Sequence, residues 1–228
     1  MKDKLFKKII TIPVIVYALV LILLPLIYIF ILSFLKSDSY GGVINVFNLG
    51  NYLKIFDIVY IKVFVQSFLI ALVTTLICIL IAYPFCLFIS QKKKKTQTLL
   101  MALVILPFLT NSLIRTYGWI VLLRKEGVIN TILLNLNIID NPLSLMYNNL
   151  GIIIGMVYTL LPFMILPLYS SISKIDSRLI EASKDLGAGS MATFFKVIVP
   201  STVTGLFNGS LMVFIPCIGY FFIADLLG

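Results

Sequence analysis

Histidine is absent from this 228-residue chain. With it go the commonest general base near neutral pH and the commonest metal ligand. Charge is scarce as well: Asp, Glu, Lys and Arg make up 12% of the residues, about half of what a soluble domain carries. No Gly-x-x-x-x-Gly-Lys-Ser/Thr run occurs, so the chain lacks the usual loop for cradling a nucleotide's phosphates. Neither a Gly-x-Ser-x-Gly setting nor a pair of carboxylates inside an apolar run is found, which leaves little for hydrolytic chemistry. The three cysteines, Cys78, Cys86 and Cys217, lie inside apolar runs without metal-ligand spacing. They read as small buried hydrophobes, not as a disulfide framework.

What is present is apolar. Hydrophobic residues make up 61% of the chain and the mean hydropathy is +1.11. That composition cannot dress the surface of a water-soluble globule and defines an integral membrane protein. A bilayer core about 30 Å thick needs roughly 20 mostly apolar residues per helix. Five stretches qualify: 9–35, 63–90, 98–123, 150–172 and 202–224. The expected fold is one membrane domain over 1–228, an all-α polytopic helical bundle. The amino end, with Lys2, Lys4, Lys7 and Lys8 ahead of an apolar run, imitates a signal peptide. Its run is longer than the usual core of about 7–15 residues and lacks a small-residue cleavage pattern, so it reads as a retained first helix.

The net charge of +9 comes from 18 basic and 9 acidic residues, and their placement explains it. Lys2, Lys4, Lys7 and Lys8, the run Lys92 to Lys95, and Lys174, Arg178, Lys184 and Lys196 fall on one side of the expected spans. Lys36, Lys54, Lys62, Arg124 and Lys125 fall on the other, and Arg115 lies within the third span. Basic loops face the cytoplasm. The amino terminus, the lysine run and segment 173–200 are therefore expected there, and the basic balance reflects topology and lipid, not nucleic acid. Five spans place the other end outside, where the chain stops at Asp225-Leu-Leu-Gly without a polar tail. A partial chain is the expectation.

Segment 173–200 has a design that the other loops lack. Ile175, Leu179, Ala182 and Leu186 recur at spacings of four, three and four, one apolar stripe on a helix. Lys174, Arg178, Glu181 and Asp185 occupy its other faces. Gly187 and Gly189 then break the helix, Ser190 is placed to cap a second short helix, and Pro200 marks re-entry into the membrane. One reading is an interfacial helix lying on lipid headgroups. The other is helix-in-groove docking to a cytoplasmic partner. A lipid-lying helix usually carries mainly Lys and Arg on its polar face, whereas this one mixes acids and bases, which favours docking.

The run Glu181-Ala182-Ser183-Lys184-Asp185-Leu186-Gly187, followed by Val197-Ile198-Val199-Pro200, resembles the EAA motif of ABC importer permeases. The spacing is kept throughout; Ser183 stands for the second Ala, and Val197 and Val199 for Ile and Leu. Segments 106–118, 158–172 and 223–228 extend the resemblance to the B-type permease subunits of spermidine/putrescine importers. It implies a type I permease fold with six spans, of which five are visible here and the sixth is missing. It also implies residence in the bacterial inner membrane, a second permease subunit, two copies of a cytoplasmic ABC ATPase and an extracytoplasmic polyamine-binding protein. No cofactor, metal or catalytic residue is implied. Within that scheme Glu181, Ala182, Ser183, Asp185, Gly187 and Pro200 belong to the ATPase-coupling loop.

The transported polycation directs attention to charge in the spans. Arg115 is expected roughly 12 Å below the outer interface. An ionisable group there is costly and a functional hypothesis by default. Arginine repels a polyamine, so it is either structural, paired with Asp225, or a gate that the polyamine displaces. Trp119, Tyr117 and Asn111 are placed to line a path. Asp225, beside Tyr220, Phe221 and Phe222, suits an amine through charge and cation–π contact; the alternative is an interfacial aromatic belt with an exposed acid. Gly151-x-x-x-Gly155 and Gly205-x-x-x-Gly209 fit close helix packing. An importer of another small solute is the main alternative. A stand-alone secondary transporter would not need the docking loop and usually shows internal repeats, none of which is seen.

Overall fold

The computed structural model describes residues 2–37 and 42–228. The chain divides into two compact units, Met1–Val65 and Gln66–Gly228.

The first unit is built around helix α1 (Lys2–Ser33), which contains Pro13 and Pro25. Its side chains from Thr11 to Phe30 are all exposed, so its apolar surface faces every direction, as in a helix solvated by lipid. A hairpin follows, β1 (Leu35–Ser37) against β2 (Val43–Phe47), antiparallel with an irregularity between Leu35 and Lys36. The Asn51 amide, on the short helix α2 (Gly50–Lys54), donates to the carbonyls of Ser33 (3.1 Å) and Leu35 (2.8 Å). Phe34 stacks on Phe47 with ring centroids 5.7 Å apart and tilts against Tyr52 at 5.3 Å. Sequence reading treats this stretch as a featureless connection; strands of three and five residues give too short a pattern to stand out.

Helix α3 (Ile58–Ser90) begins five residues before the expected second span and leads into the second unit. There α7 (Asn149–Ile172) is central, burying Gly151, Gly155, Leu160, Met164 and Leu168 among others. Its N-terminus is capped by the Asn148 side chain, which accepts from Leu150 N (2.9 Å) and Gly151 N (3.0 Å). Between helices bathed in lipid there is little hydrophobic drive, so close approach by small residues does the holding. The two Gly-x-x-x-Gly motifs do this. A Cβ on Gly205 would run into the Ser171 side chain and lie 2.7 Å from the Pro167 carbonyl. One on Gly151 would lie 2.7 Å from the Leu145 carbonyl and 2.9 Å from that of Leu227.

The third apolar run departs from expectation. In place of one helix over 98–123, α4 (Lys94–Ile105) passes into a 3-10 turn, Leu106–Leu109, and then breaks. A new helix, α5 (Ser112–Leu123), starts at Asn111, whose side chain accepts from Leu113 N at 2.8 Å. The two arms, the second continuing through α6 (Val128–Asn135), are bent by 93°. The cause is local: Pro107 lacks an N–H, and the Asn111 side chain satisfies a donor that a continuous helix would have used. Among the described residues, four helices are long and apolar enough to cross a membrane, five if this bent pair counts as one. Beyond α5, Asn130 is fully buried, exchanging two hydrogen bonds with Leu143 and donating to the Arg124 carbonyl.

The fifth run is longer at its start and broken near its end. An apolar helix runs from Ser190 to Gly219, and Tyr220 separates α11 (Phe221–Leu227) from it. Among the described residues the chain is mostly helical with one small hairpin, the make-up of an all-α polytopic membrane protein.

Candidate functional site

Segment 173–200 forms two helices joined by a tight turn. Helix α8 (Ser177–Asp185) starts at Asp176, whose carboxylate accepts from Arg178 N at 3.0 Å. A carboxylate there satisfies an orphan donor and complements the helix dipole. The helix ends with Gly187 N bonded to the Lys184 carbonyl (2.8 Å) and Ala188 N to that of Ser183 (3.0 Å). These two bonds are the Schellman pattern, which needs a left-handed residue just past the cap. Gly187 supplies it at φ +79°, as the sequence leads one to expect.

Ser183 is the buried residue of α8. Its hydroxyl donates to the Ile180 carbonyl (2.8 Å) and lies 2.9 Å from the Thr193 hydroxyl, which is itself buried. A hydroxyl has one proton, so with Ser183 donating to Ile180, Thr193 is the donor between them. The stripe seen in the sequence points the other way: Leu179 and Leu186 are 52% and 88% exposed, and Ala182, Glu181 and Asp185 are exposed beside them. Only Ile175 is partly covered.

Two expectations for the loop's second half are corrected. Ser190 is not a cap; Gly189 holds that position without a side-chain bond, and Ser190 opens α9 (Ser190–Thr193). Nor does Pro200 begin a separate span. A π-helical turn, Phe194–Ile198, carries α9 directly into α10 (Val199–Gly219), with Pro200 in the first turn of α10. The wider π turn accommodates a proline ring that would crowd the carbonyl four residues back. Hydroxyls then cover loosened carbonyls, Ser201 donating to Val197 (2.7 Å) and Thr202 to Ile198 (2.9 Å). Thr202 is also bonded to the Tyr83 hydroxyl of α3, and the Tyr83 ring meets Phe194 edge-on at 5.2 Å.

The residues expected along a substrate path do not gather in one place. Asn111 is exposed and committed to capping α5; Tyr117 is 59% exposed. Trp119 is half-buried, edge-on to Tyr158 at 5.3 Å. Tyr220 sits at the α10–α11 junction against Phe222 (5.4 Å), and Asp225 is exposed on α11. The Arg115–Asp225 ion pair is not made. Instead the Arg115 guanidinium lies 5.2 Å from the centroid of the Phe108 ring, and its buried Nε has no hydrogen-bond partner. Arg115 lines a cavity of about 350 Å³ with Phe85, Leu103, Phe108, Tyr158 and Ile165. Phe85, Phe108 and Tyr158 were not singled out by sequence reading, because aromatics in apolar runs carry no periodic signal of a cavity. A pocket of about 460 Å³, lined by Arg124, Lys125 and Tyr147, offers two cations and no acid.

A membrane bundle with a largely exposed, glycine-ended helix between two long apolar helices has the layout of a transport component. Residues 76–228 match the family described as the binding-protein-dependent transport system inner membrane component, and the chain belongs to it. Among curated relatives, the spermidine/putrescine transport system permease protein PotB of Salmonella typhimurium is 42% identical over 98% of this chain and 78% of its own length. The protein of that name from Escherichia coli (strain K12) is 44% identical, over 91% of this chain and 75% of its own. That from Haemophilus influenzae is 42% identical over 98% and 78%. Segment 173–200, the bent third run and the Arg115 cavity all lie within the part that matches the family.

Proposed function

We infer that this chain is the membrane-spanning permease subunit of an ATP-driven importer that carries spermidine and putrescine into the cytoplasm. The observation that carries the substrate is the 42–44% identity to three proteins named for that transport, spread over nearly the whole chain. The exposed apolar stripe of α8 supports the ATP-driven part, since a helix so placed is built to enter a groove on another protein.

In this reading the amino terminus, Lys92 to Lys95 and α8 face the cytoplasm. Two copies of an ABC ATPase supply the energy, a second permease subunit completes the pore, and an extracytoplasmic binding protein delivers the polyamine. Leu179, Ala182 and Leu186 enter the ATPase groove, with Glu181 and Asp185 at its rim. ATP-driven closure moves α8. The Gly187 turn and the Ser183–Thr193 bond pass that motion to the helix from Ser190 to Gly219, and Thr202 passes it on to Tyr83 of α3. Asp225, with Tyr220, serves at the outer mouth by attracting cations; Asp225→Lys is expected to reduce uptake, and normal uptake by that variant removes the role.

The test is labelled spermidine uptake by source cells with and without the gene, alongside excess putrescine or an amino acid. Uptake is expected to fall on deletion and to be competed only by polyamines. Competition by the amino acid instead assigns the importer to another small solute.

A further inference from the structure

The cavity beside α5 combines aromatic and apolar walls with a single cation. Phe85, Phe108 and Tyr158 offer aromatic rings to it, Leu103 and Ile165 add apolar wall, and no carboxylate lines it. At about 350 Å³ it falls in the range of small-molecule sites. Aromatic faces of this kind are sites for an organic cation, because the ring quadrupole attracts positive charge within about 6 Å of the centroid. Here the place is taken by the chain itself, with the Arg115 guanidinium 5.2 Å from the Phe108 centroid. The guanidinium is also under-satisfied, its Nε being buried without a partner. Arg115 is half-buried, and an ionisable side chain inside a membrane bundle is normally paired. One held by a ring face is held weakly enough to be displaced by a competing cation.

We propose that Arg115 is a resident plug: its guanidinium occupies the aromatic cavity that transported ammonium groups pass through, and keeps the path shut to free cations until substrate displaces it. The proposal rests on the importer reading above and deepens it by naming the residue that closes the path. Phe108 is the positioning residue, since it holds the plug in place. An ammonium on the same ring takes the place that the displaced guanidinium leaves.

The complete importer, reconstituted with its second permease and ATPase subunits in vesicles without nucleotide, reads this directly. Vesicles are loaded with labelled spermidine, labelled choline or labelled glucose, and efflux is followed. Arg115→Gln and Phe108→Leu are expected to raise efflux of both cations about 2- to 30-fold, the range that a cation on a ring face contributes. Glucose efflux stays at the wild-type level in both. Arg115→Lys keeps a cation for the ring but a more strongly hydrated, non-planar one, so its efflux falls between those of wild type and Arg115→Gln. Co-purification of the ATPase with each variant confirms assembly. Unchanged cation efflux in an assembled Arg115→Gln complex overturns the plug. So does glucose efflux rising with that of the cations, which marks a loosened bundle. ATP-driven spermidine uptake by the wild-type vesicles tests the importer reading separately; if it fails while choline efflux still rises in Arg115→Gln, the plug stands and the substrate assignment falls.

Discussion

Ser183 of α8 and Thr193 of α9, ten positions apart in the chain, are joined hydroxyl to hydroxyl at 2.9 Å, both buried. The bond fastens the docking helix to the long helix that follows, and its proton order makes the two ends unequal. Removing Thr193 leaves Ser183 still donating to Ile180, whereas removing Ser183 leaves the Thr193 hydroxyl buried and unpaired. Ser183→Ala is therefore expected to cost more than Thr193→Val, the excess being on the order of 1 kcal/mol, the penalty for an orphaned donor. The double variant should be milder than the sum of the two. Thermal inactivation of the purified complex ranks them, and equal costs for the two single variants would show that the proton order is wrong.

Gly187 and Gly189 flank the same turn but have different reasons to be glycine. Gly187 stands at φ +79° with open space where a Cβ would go, so its constraint is backbone angle alone. Gly189 has φ −67° and equally open space. Gly187→Ala should cost about 1–2 kcal/mol, the penalty of a left-handed L-residue, while Gly187→Asn costs less. Gly189→Ala should be near neutral. Uptake and complex stability of the three variants measure this, and an effect of Gly189→Ala equal to that of Gly187→Ala removes the explanation.

The α7–α10 packing yields a graded series. A Cβ on Gly205 collides with Ser171 and the Pro167 backbone, on Gly209 it meets the movable Met164 sulfur at 2.8 Å, and on Gly219 it meets nothing. Gly205→Ala is expected to destabilise most, by about 1–3 kcal/mol as overpacking typically does, Gly209→Ala less, and Gly219→Ala little. Melting temperatures in detergent should follow that order; a Gly219→Ala variant as unstable as Gly205→Ala contradicts it.

The sequence is most legible where one signal repeats. Apolar length marks the long helices, and in segment 173–200 the period of Ile175, Leu179, Ala182 and Leu186, ended by Gly187, marks α8. It is least legible where two signals oppose. Leu106-Pro-Phe-Leu reads as uninterrupted membrane helix because prolines are tolerated in such helices. Pro107 and the Asn111 side chain, acting as a cap, together turn the chain there. Pro200 gave the opposite error: a proline after a loop reads as a helix start, but a π turn absorbs it. Arg115 was visible as costly, while its partner was not. The ring of Phe108 lies seven positions away across the break; on a continuous helix the two would share a face but stand two turns, about 10 Å, apart along the axis, so the spacing does not announce their contact.

Docking through α8 can be tested apart from its folding, because the side chains that dock are not those that hold the helix. Leu186 is 88% exposed and Leu179 52%, while Ser183 and the Asp176 cap do the internal work. Leu186→Asp or Leu179→Asp should leave α8 intact and remove an apolar side chain from the ATPase groove. Burying a leucine contributes about 1.5–3 kcal/mol, so ATPase association should weaken roughly 10- to 150-fold. Glu181→Gln, which keeps shape and removes charge, should weaken it less. Co-purification of the ATPase from detergent at graded salt reads all three. A Leu186→Asp complex that holds its ATPase as wild type does would place the docking face on another side of α8, with Glu181 and Asp185 in place of the leucines.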